Sequence, residues 1–301
     1  MSLYAPAYYS SFKCIAQKCR HSCCVDWEID VDVCTLEKYI NLNLTKDQAI
    51  LPHIDVSGEG ATIALSDDGR CPFLTDLGLC RIISEYGDEF ISEICREHPR
   101  FYHTVNGRRE VGLGLVCEEA CRIVMESCGY DEFYEIEGGS GSGDVTDFDP
   151  LSHREKIYSI LSDTAIPYRE RILKIEREYS VSSDINSSEM WQAVFEGLEL
   201  LNDEDKGIFS AIACKRREND GFDKYLERAL AYFVFRHVSV AKDMNSLRAR
   251  LGFCLLSERI LASYPLVSKD ELFSLARAYS EEIEYSEENT AALIFEFECA
   301  L

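Results

Sequence analysis

Between Cys14 and Trp27 the chain reads C-I-A-Q-K-C-R-H-S-C-C-V-D-W, which places Cys14, Cys19, Cys23 and Cys24 within eleven residues as C-x4-C-x3-C-C. Thiols this close suit a centre that draws several thiolates to one point, a metal ion or an iron–sulfur cluster held by a short irregular loop. Structural thiols or disulfides are the weaker reading, because adjacent cysteines such as Cys23 and Cys24 do not readily bridge each other. Cys71, Cys80, Cys95 and Cys117 follow at wider spacing. Two sets of four are therefore available, and a cubane cluster takes four thiolates. The spacing leaves open whether each set holds a metal or one site draws on both. A mixed set is attractive, since adjacent Cys23 and Cys24 would struggle to ligate one cube together. The radical-cluster signature C-x3-C-x2-C is absent after both Cys19 and Cys117.

Other polar residues lie near these thiols. His21 sits inside the cluster, where it is placed to act as a ligand or a hydrogen-bond donor. His98 and His103 flank Pro99-Arg100 close to Cys95, and either could ligate a metal or shuttle a proton, although a surface or supporting histidine is the commoner outcome. Arg96 and Arg100 could pair with a cluster's negative charge or a substrate carboxylate, or simply form salt bridges in an acidic protein. Cys34 falls on an expected helix and reads as a core thiol.

The pattern F-x-C-x4-C-x3-C-C-x2-W, Phe12 to Trp27, resembles the opening of the flagellin lysine-N-methylases, part of a wider group of zinc- or iron-chelating proteins. Two further blocks agree: C-P-F-L-x4-L-C from Cys71 to Cys80, and I-C-R-x2-P-R from Ile94 to Arg100. Val116-Cys117-Glu118-Glu119-Ala120 is similar to the family's S-C-P-E-A, with Glu118 where proline is usual. Near the end, Tyr232–Arg236 and Tyr279–Ser286 resemble family segments, with Glu281 and Tyr285 where the family tends to have Arg and His. The resemblance implies N-methylation of flagellin lysines with S-adenosylmethionine as donor. It also implies that Cys14, Cys19, Cys23, Cys24, Cys71, Cys80, Cys95 and Cys117 hold an iron–sulfur cluster, of the 4Fe-4S type by first choice, or zinc by second. Methyl transfer requires a deprotonated, aligned ε-amine, which carboxylates, tyrosines or an apolar channel can provide. With 54 acids and 16 tyrosines, no single side chain stands out as the base or as the holder of S-adenosylmethionine.

The elements that must position the thiols read as a small α+β unit over residues 1–130. A helix is expected from Val33 to Asn43, capped by Asp30 or Asp32, with Leu36, Tyr39 and Ile40 on one face. Strands are expected at Thr62–Leu65 and Cys71–Leu74, with turns at Asp68-Gly69 and Gly78. Asp88–Arg96 and Cys117–Glu126 read as helices. Asn106-Gly107 between Phe101–Val105 and Arg109–Leu113 is a strong hairpin signal.

Residues 131–150 are rich in Gly, Ser and Asp and read as a linker. Glu137-x-Gly139-x-Gly141-x-Gly143 fits the glycine loop of Rossmann-type methyltransferases, but no strand–helix alternation follows, so the linker reading is preferred. Residues 151–301 read as about eight helices: Ser152–Leu161, Tyr168–Tyr179, Glu189–Leu201, Asp203–Arg217, Phe222–Ala241, Leu247–Tyr264, Lys269–Tyr279 and Glu287–Ala300. The expected fold is α+β and mainly helical, with a small cysteine-rich domain followed by a helical bundle.

Composition narrows the partners. The 301 residues are 46% hydrophobic and carry a formal net charge of −23 from 54 acidic and 31 basic side chains. Such a surface repels nucleic-acid backbones and anionic lipid and would attract a basic partner such as a lysine-bearing protein segment, which the resemblance makes flagellin, although a plain solvated acidic surface is the commoner outcome. No apolar run is long enough to span a membrane. Fourteen cysteines without a visible secretion signal point to the reducing cytoplasm. The expected function is protein-lysine N-methylation. A non-catalytic metal-binding redox sensor or interaction scaffold is the alternative.

Overall fold

The computed structural model describes residues 1–45, 49–58, 60–139, 147–182, 189–202 and 221–300. In chain order its strands and helices are β1 (Leu3–Pro6), α1 (Val33–Thr45), β2 (Ile54–Ser57), β3 (Gly60–Ile63), α2 (Arg81–Tyr86), α3 (Glu93–Glu97), β4 (Arg100–Val105), β5 (Arg108–Leu113), α4 (Glu118–Glu126), β6 (Phe133–Glu137), α5 (Pro150–Leu161), α6 (Tyr168–Tyr179), α7 (Glu189–Glu196), α8 (Asp223–Phe233), α9 (Met244–Ser263), α10 (Lys269–Tyr279) and α11 (Glu287–Cys299). The fold is mainly helical α+β. The chain forms two compact units: one comprises Lys13–Arg100 with Cys117–Glu119, the other Met1–Phe12, Phe101–Val116 and Ala120–Leu301. This differs from the expected division into 1–130, 131–150 and 151–301. The reason is strand pairing. β1 runs parallel to β5 and antiparallel to β6, which makes the four-stranded order β4-β5-β1-β6. The sheet therefore goes with the helices, and part of the expected linker, Phe133–Glu137, is its edge strand.

In the cysteine unit, α1 starts where Asp32 accepts the Thr35 N–H at 2.9 Å, one of the two caps expected. Its buried face carries Tyr39 and Leu42, with Leu36 partly covered, while Ile40 is 43% exposed and is not part of that face. Cys34 is exposed at the start of the helix and is not a core thiol, because this end of α1 turns its side chain to solvent. β3 pairs with β2 rather than extending to Leu65. Cys71–Leu74 is not a strand. It joins a tight loop closed by a single bridge between Leu74 and Cys80, with Gly78 at φ +71°. Asp88–Arg96 is broken into a 3₁₀ turn at Asp88–Phe90 and the short α3. A single apolar core that includes Ile29, Tyr39, Ile63, Phe73 and Ile82 holds these pieces together.

In the helical unit the β4–β5 hairpin forms around Asn106 and Gly107, both at positive φ (44° and 78°), as the Asn-Gly pair requires. The central helix is α9, which is buried along most of its length and packs against α8 and α11. Gly252 permits the α11 contact, since an added Cβ would lie 2.5 Å from the Phe297 ring. Two helices carry π-turns at their C-terminal ends, Val234–Val238 after α8 and Ser280–Glu284 after α10. Helix α7 stops at Glu196, short of the expected Leu201, because the backbone there is drawn off by Glu282, which accepts the Leu201 N–H at 2.6 Å and the Asn202 N–H at 3.0 Å. The expected helix Asp203–Arg217 lies outside the described residues. So do Gly141 and Gly143. Among the described residues no strand follows Glu137, so the sheet after the linker that a Rossmann-type loop needs is not seen there.

Candidate functional site

All eight candidate ligands fall in the cysteine unit, including Cys117, which joins it from the N-terminal boundary of α4. The backbone brings the motif blocks together. Cys71 donates its N–H to the Cys24 carbonyl at 2.8 Å, Asp26 donates to the Gly69 carbonyl at 2.9 Å, and Val25 bridges Arg70. The Leu74–Cys80 bridge folds Cys80 back beside this ladder, and Cys95 is carried by α3. Cys24, Cys80 and Cys95 pack against the apolar core of which Cys71 is a buried member.

The thiols form two electrostatic neighbourhoods. Cys71 senses Cys24, Cys80 and Cys95, and Cys95 in turn senses Cys24 and Cys80. Cys24, Cys71, Cys80 and Cys95, a quartet drawn from both sequence sets, thus share one neighbourhood, which Cys23 also reaches. Burial pushes Cys71 up to about 12 and Cys95 up to about 11, and raises Cys80. The Cys23 thiol donates to Cys24, which raises Cys23 and lowers Cys24, and Arg70 adds to the lowering of Cys24. Cys23 also senses Cys95 and the exposed Cys14. The second neighbourhood contains Cys19 and Cys117. Cys19 donates to the His21 carbonyl at 3.1 Å and to Glu118 at 3.7 Å, and burial raises it to about 11. Glu118 also accepts the Arg20 N–H at 2.8 Å and its Nε at 2.9 Å.

The donor set fits a thiophilic metal or an iron–sulfur cluster in type and number: four cysteines around Cys24–Cys71, beside a cationic Arg70. Among the described residues, no three His, Cys, Asp or Glu side chains already stand in a metal-binding arrangement. Loading the quartet therefore requires rearrangement of the thiols and loss of protons, which burial opposes at Cys71, Cys80 and Cys95.

The candidate histidines and arginines have separate assignments. His98 is in the cysteine unit, edge-on to Trp27 with centroids 6.2 Å apart, and burial followed by the Arg100 charge pushes it down to about 4. His103 belongs to the helical unit, where its Nε2 lies 2.7 Å from Glu110. Arg96 donates to the Ile91 carbonyl and Arg100 to the Arg96 carbonyl.

Two buried polar centres in the helical unit were not singled out from sequence. In the first, Glu110 takes two hydrogen bonds from Arg154 (2.7 and 2.9 Å) and one contact from His103, with Arg108 as a further partner. In the second, Glu284 lies 2.8 Å from His237 Nε2 and accepts the Tyr232 hydroxyl at 3.1 Å. Arg236 donates to that hydroxyl at 2.9 Å and lies between the Phe101 and Tyr285 rings, 4.9 and 4.7 Å from their centroids. Burial opposes ionisation of both glutamates, yet Arg154 and His103 hold Glu110 well below the usual carboxylate range, and Arg236 with the His237 hydrogen bond lowers Glu284. Glu284 ends one π-turn and His237 lies in the other, a feature common at functional sites. The available signal was the pair of late segments, Tyr232–Arg236 and Tyr279–Ser286.

The chain is 32% identical over 126 residues to the lysine-N-methylases of Salmonella typhimurium and Salmonella choleraesuis, which covers 40% of this chain and 31% of theirs. It is 31% identical over 126 residues to the flagellar biosynthetic protein FliU of Salmonella muenchen, which covers 75% of that protein. The match thus spans about a third of the lysine-N-methylases' length. No family model matches the chain, and no solved structure matches it. Among the described residues, no helix is long and apolar enough to cross a membrane. At 31% identity over three quarters of FliU, the chain belongs to the FliU family, and it is similar over part of their length to these lysine-N-methylases.

Proposed function

We propose that this protein N-methylates lysine side chains of a flagellar protein, flagellin first, with S-adenosylmethionine as donor and a cysteine-held metal or iron–sulfur centre in its cysteine unit. The observation that carries this reading is the 126-residue similarity to proteins named lysine-N-methylase. In the transfer, the sulfonium–methyl bond breaks as the nitrogen–methyl bond forms. The ε-ammonium gives up a proton, and S-adenosylhomocysteine leaves. An amine that must lose its proton near neutral pH is helped by an apolar surround and a nearby proton acceptor. Cys24, Cys71, Cys80 and Cys95 would hold the centre. Zinc would supply a structural staple there, and an iron–sulfur cluster would supply one-electron chemistry. Arg70 would offset the negative charge that four thiolates bring. A reducing cytoplasm would suit this reading, since thiols stay reduced there.

The test is transfer of labelled methyl groups from S-adenosylmethionine to flagellin monomers by anaerobically purified protein, with N-methyl-lysine read by mass spectrometry. Metal, iron and sulfide content should be measured on the same sample. Methylated lysine supports the reading. A loaded centre with no transfer overturns it and favours a metal-binding scaffold. The partial span of the lysine-N-methylases, 31% of their length, is the observation on the scaffold's side.

A further inference from the structure

The outer edge of β6 is the least protected part of the sheet. The strand order β4-β5-β1-β6 places it last, and among the described residues no strand pairs with its far side. Residues Tyr134 to Glu137 are all exposed, so this strand shows both faces to solvent rather than one. Tyr134 and Ile136 are 56% and 46% exposed. An edge of unpaired N–H and C=O groups is a template for another extended chain.

Charge then selects the chain. Asp131, Glu132, Glu135 and Glu137 carry four negative charges over seven residues with no Lys or Arg among them. Two of these carboxylates are held in place by phenols: Glu135 accepts the Tyr4 hydroxyl at 3.3 Å, and Glu132 accepts the Tyr134 hydroxyl at 2.8 Å. A carboxylate fixed beside an exposed tyrosine ring is suited to an ammonium group, through ion pairing and cation–π attraction together. The same charges repel a second copy of this edge. A purely protective role would need only the charges and the irregular pairing that β6 shows, where it advances from Glu135 to Glu137 against one step from Tyr4 to Leu3. It would not need tyrosine and isoleucine displayed alongside.

We infer that β6 is a docking edge for an extended, lysine-bearing protein segment, which adds beside it as a fifth strand. This rests on the lysine-methylation reading, for which it supplies the substrate-binding surface.

The test uses the full chain and a synthetic ten-residue peptide of alternating lysine and valine, with a glutamate–valine peptide as control. The expected result is added backbone-amide protection at residues 133–137 with the lysine peptide, salt-sensitive binding, and none with the control. The double variant Glu135→Lys/Glu137→Lys should bind the lysine peptide at least tenfold more weakly and gain affinity for the glutamate peptide, a reversal that an unfolded variant would not show. Absence of added protection at 133–137, or equal binding by the variant, overturns the inference. Labelling of flagellin runs in parallel. Wild-type transfer that the variant leaves unchanged sinks the docking edge and spares the methylase reading. Docking with no transfer does the reverse.

Discussion

Glu118 holds Arg20 by two hydrogen bonds, from the backbone N–H at 2.8 Å and from Nε at 2.9 Å, and so fixes the cysteine loop to the segment that carries Cys117. In the resemblance to the methylases this position is a proline. Here a side chain that ties the loop stands at that position. Glu281, where the family tends to have arginine, is likewise met by Arg277 one turn earlier at 2.8 Å. Tyr285, in place of the usual histidine, stacks on Arg236.

Glu118→Gln should loosen the loop without unfolding the protein. Arg20 is 67% exposed at its side chain, so the ion pair itself contributes at most about 1 kcal/mol. The expected outcome is faster amide exchange at Arg20 with a nearly unchanged melting temperature. A large drop in melting temperature would show that Glu118 supports more than the loop.

The Glu110–Arg154 pair should behave very differently. Both side chains are buried, at 0% and 3% exposure. Arg154→Met leaves a buried carboxylate short of its main partner, and the expected loss is about 3–5 kcal/mol by denaturant unfolding. A loss below 1 kcal/mol would mean that His103 and Arg108 suffice.

Stability should fall on acidification in two stages. His98, pushed down to about 4, and His237, also lowered, resist protonation when folded. The unfolded chain takes those protons from about 6.5 downward, so stability is lost as pH falls below that value. Glu110 and Glu284 are lowered from 4.5, so their contribution is present above 4.5 and is lost as pH falls through their folded values. Unfolding midpoints at pH 7.5, 5.5 and 3.5, on the order of one step per window, should decline in sequence. A flat profile between the first two would exclude the histidine stage.

Gly112→Ala should destabilise the helical unit by overpacking. The added Cβ would lie 2.2 Å from the Phe101 ring and 2.6 Å from the Phe235 ring, and the expected cost is about 1–3 kcal/mol. Thermal unfolding reads this directly. A neutral substitution would show that both rings can shift.

Metal removal should act on one unit. Chelation of the loaded protein is expected to change Trp27 fluorescence, since Trp27 and His98 pack together in the cysteine unit, while most far-ultraviolet helical signal persists. Trp191→Phe isolates the reporter. Loss of most helical signal on chelation would instead couple the centre to the whole fold.

The sequence by itself determined the features that depend on local chemistry. Asn106-Gly107 made its hairpin because both residues accept positive φ. Tyr168–Tyr179 and Lys269–Tyr279 formed helices with the expected bounds because their apolar spacing is regular. That the eight cysteines of the motif blocks fall in one compact unit follows the order of those blocks along the chain. Tertiary structure decided what depends on distant partners. The pairing of Cys71 with Cys24 across 47 residues brought members of the two sequence sets together; the adjacency of Cys23 and Cys24 favoured a mixed set, but spacing could not say which thiols would meet. The strand at Phe133–Glu137 exists because β1, from the far end of the chain, pairs with it. His103 left the cysteines for Glu110 because the strands β4 and β5 face those two side chains to each other. Burial then made the two glutamate centres, since a carboxylate removed from water needs cations and hydroxyls from several elements at once, and no local pattern encodes that convergence.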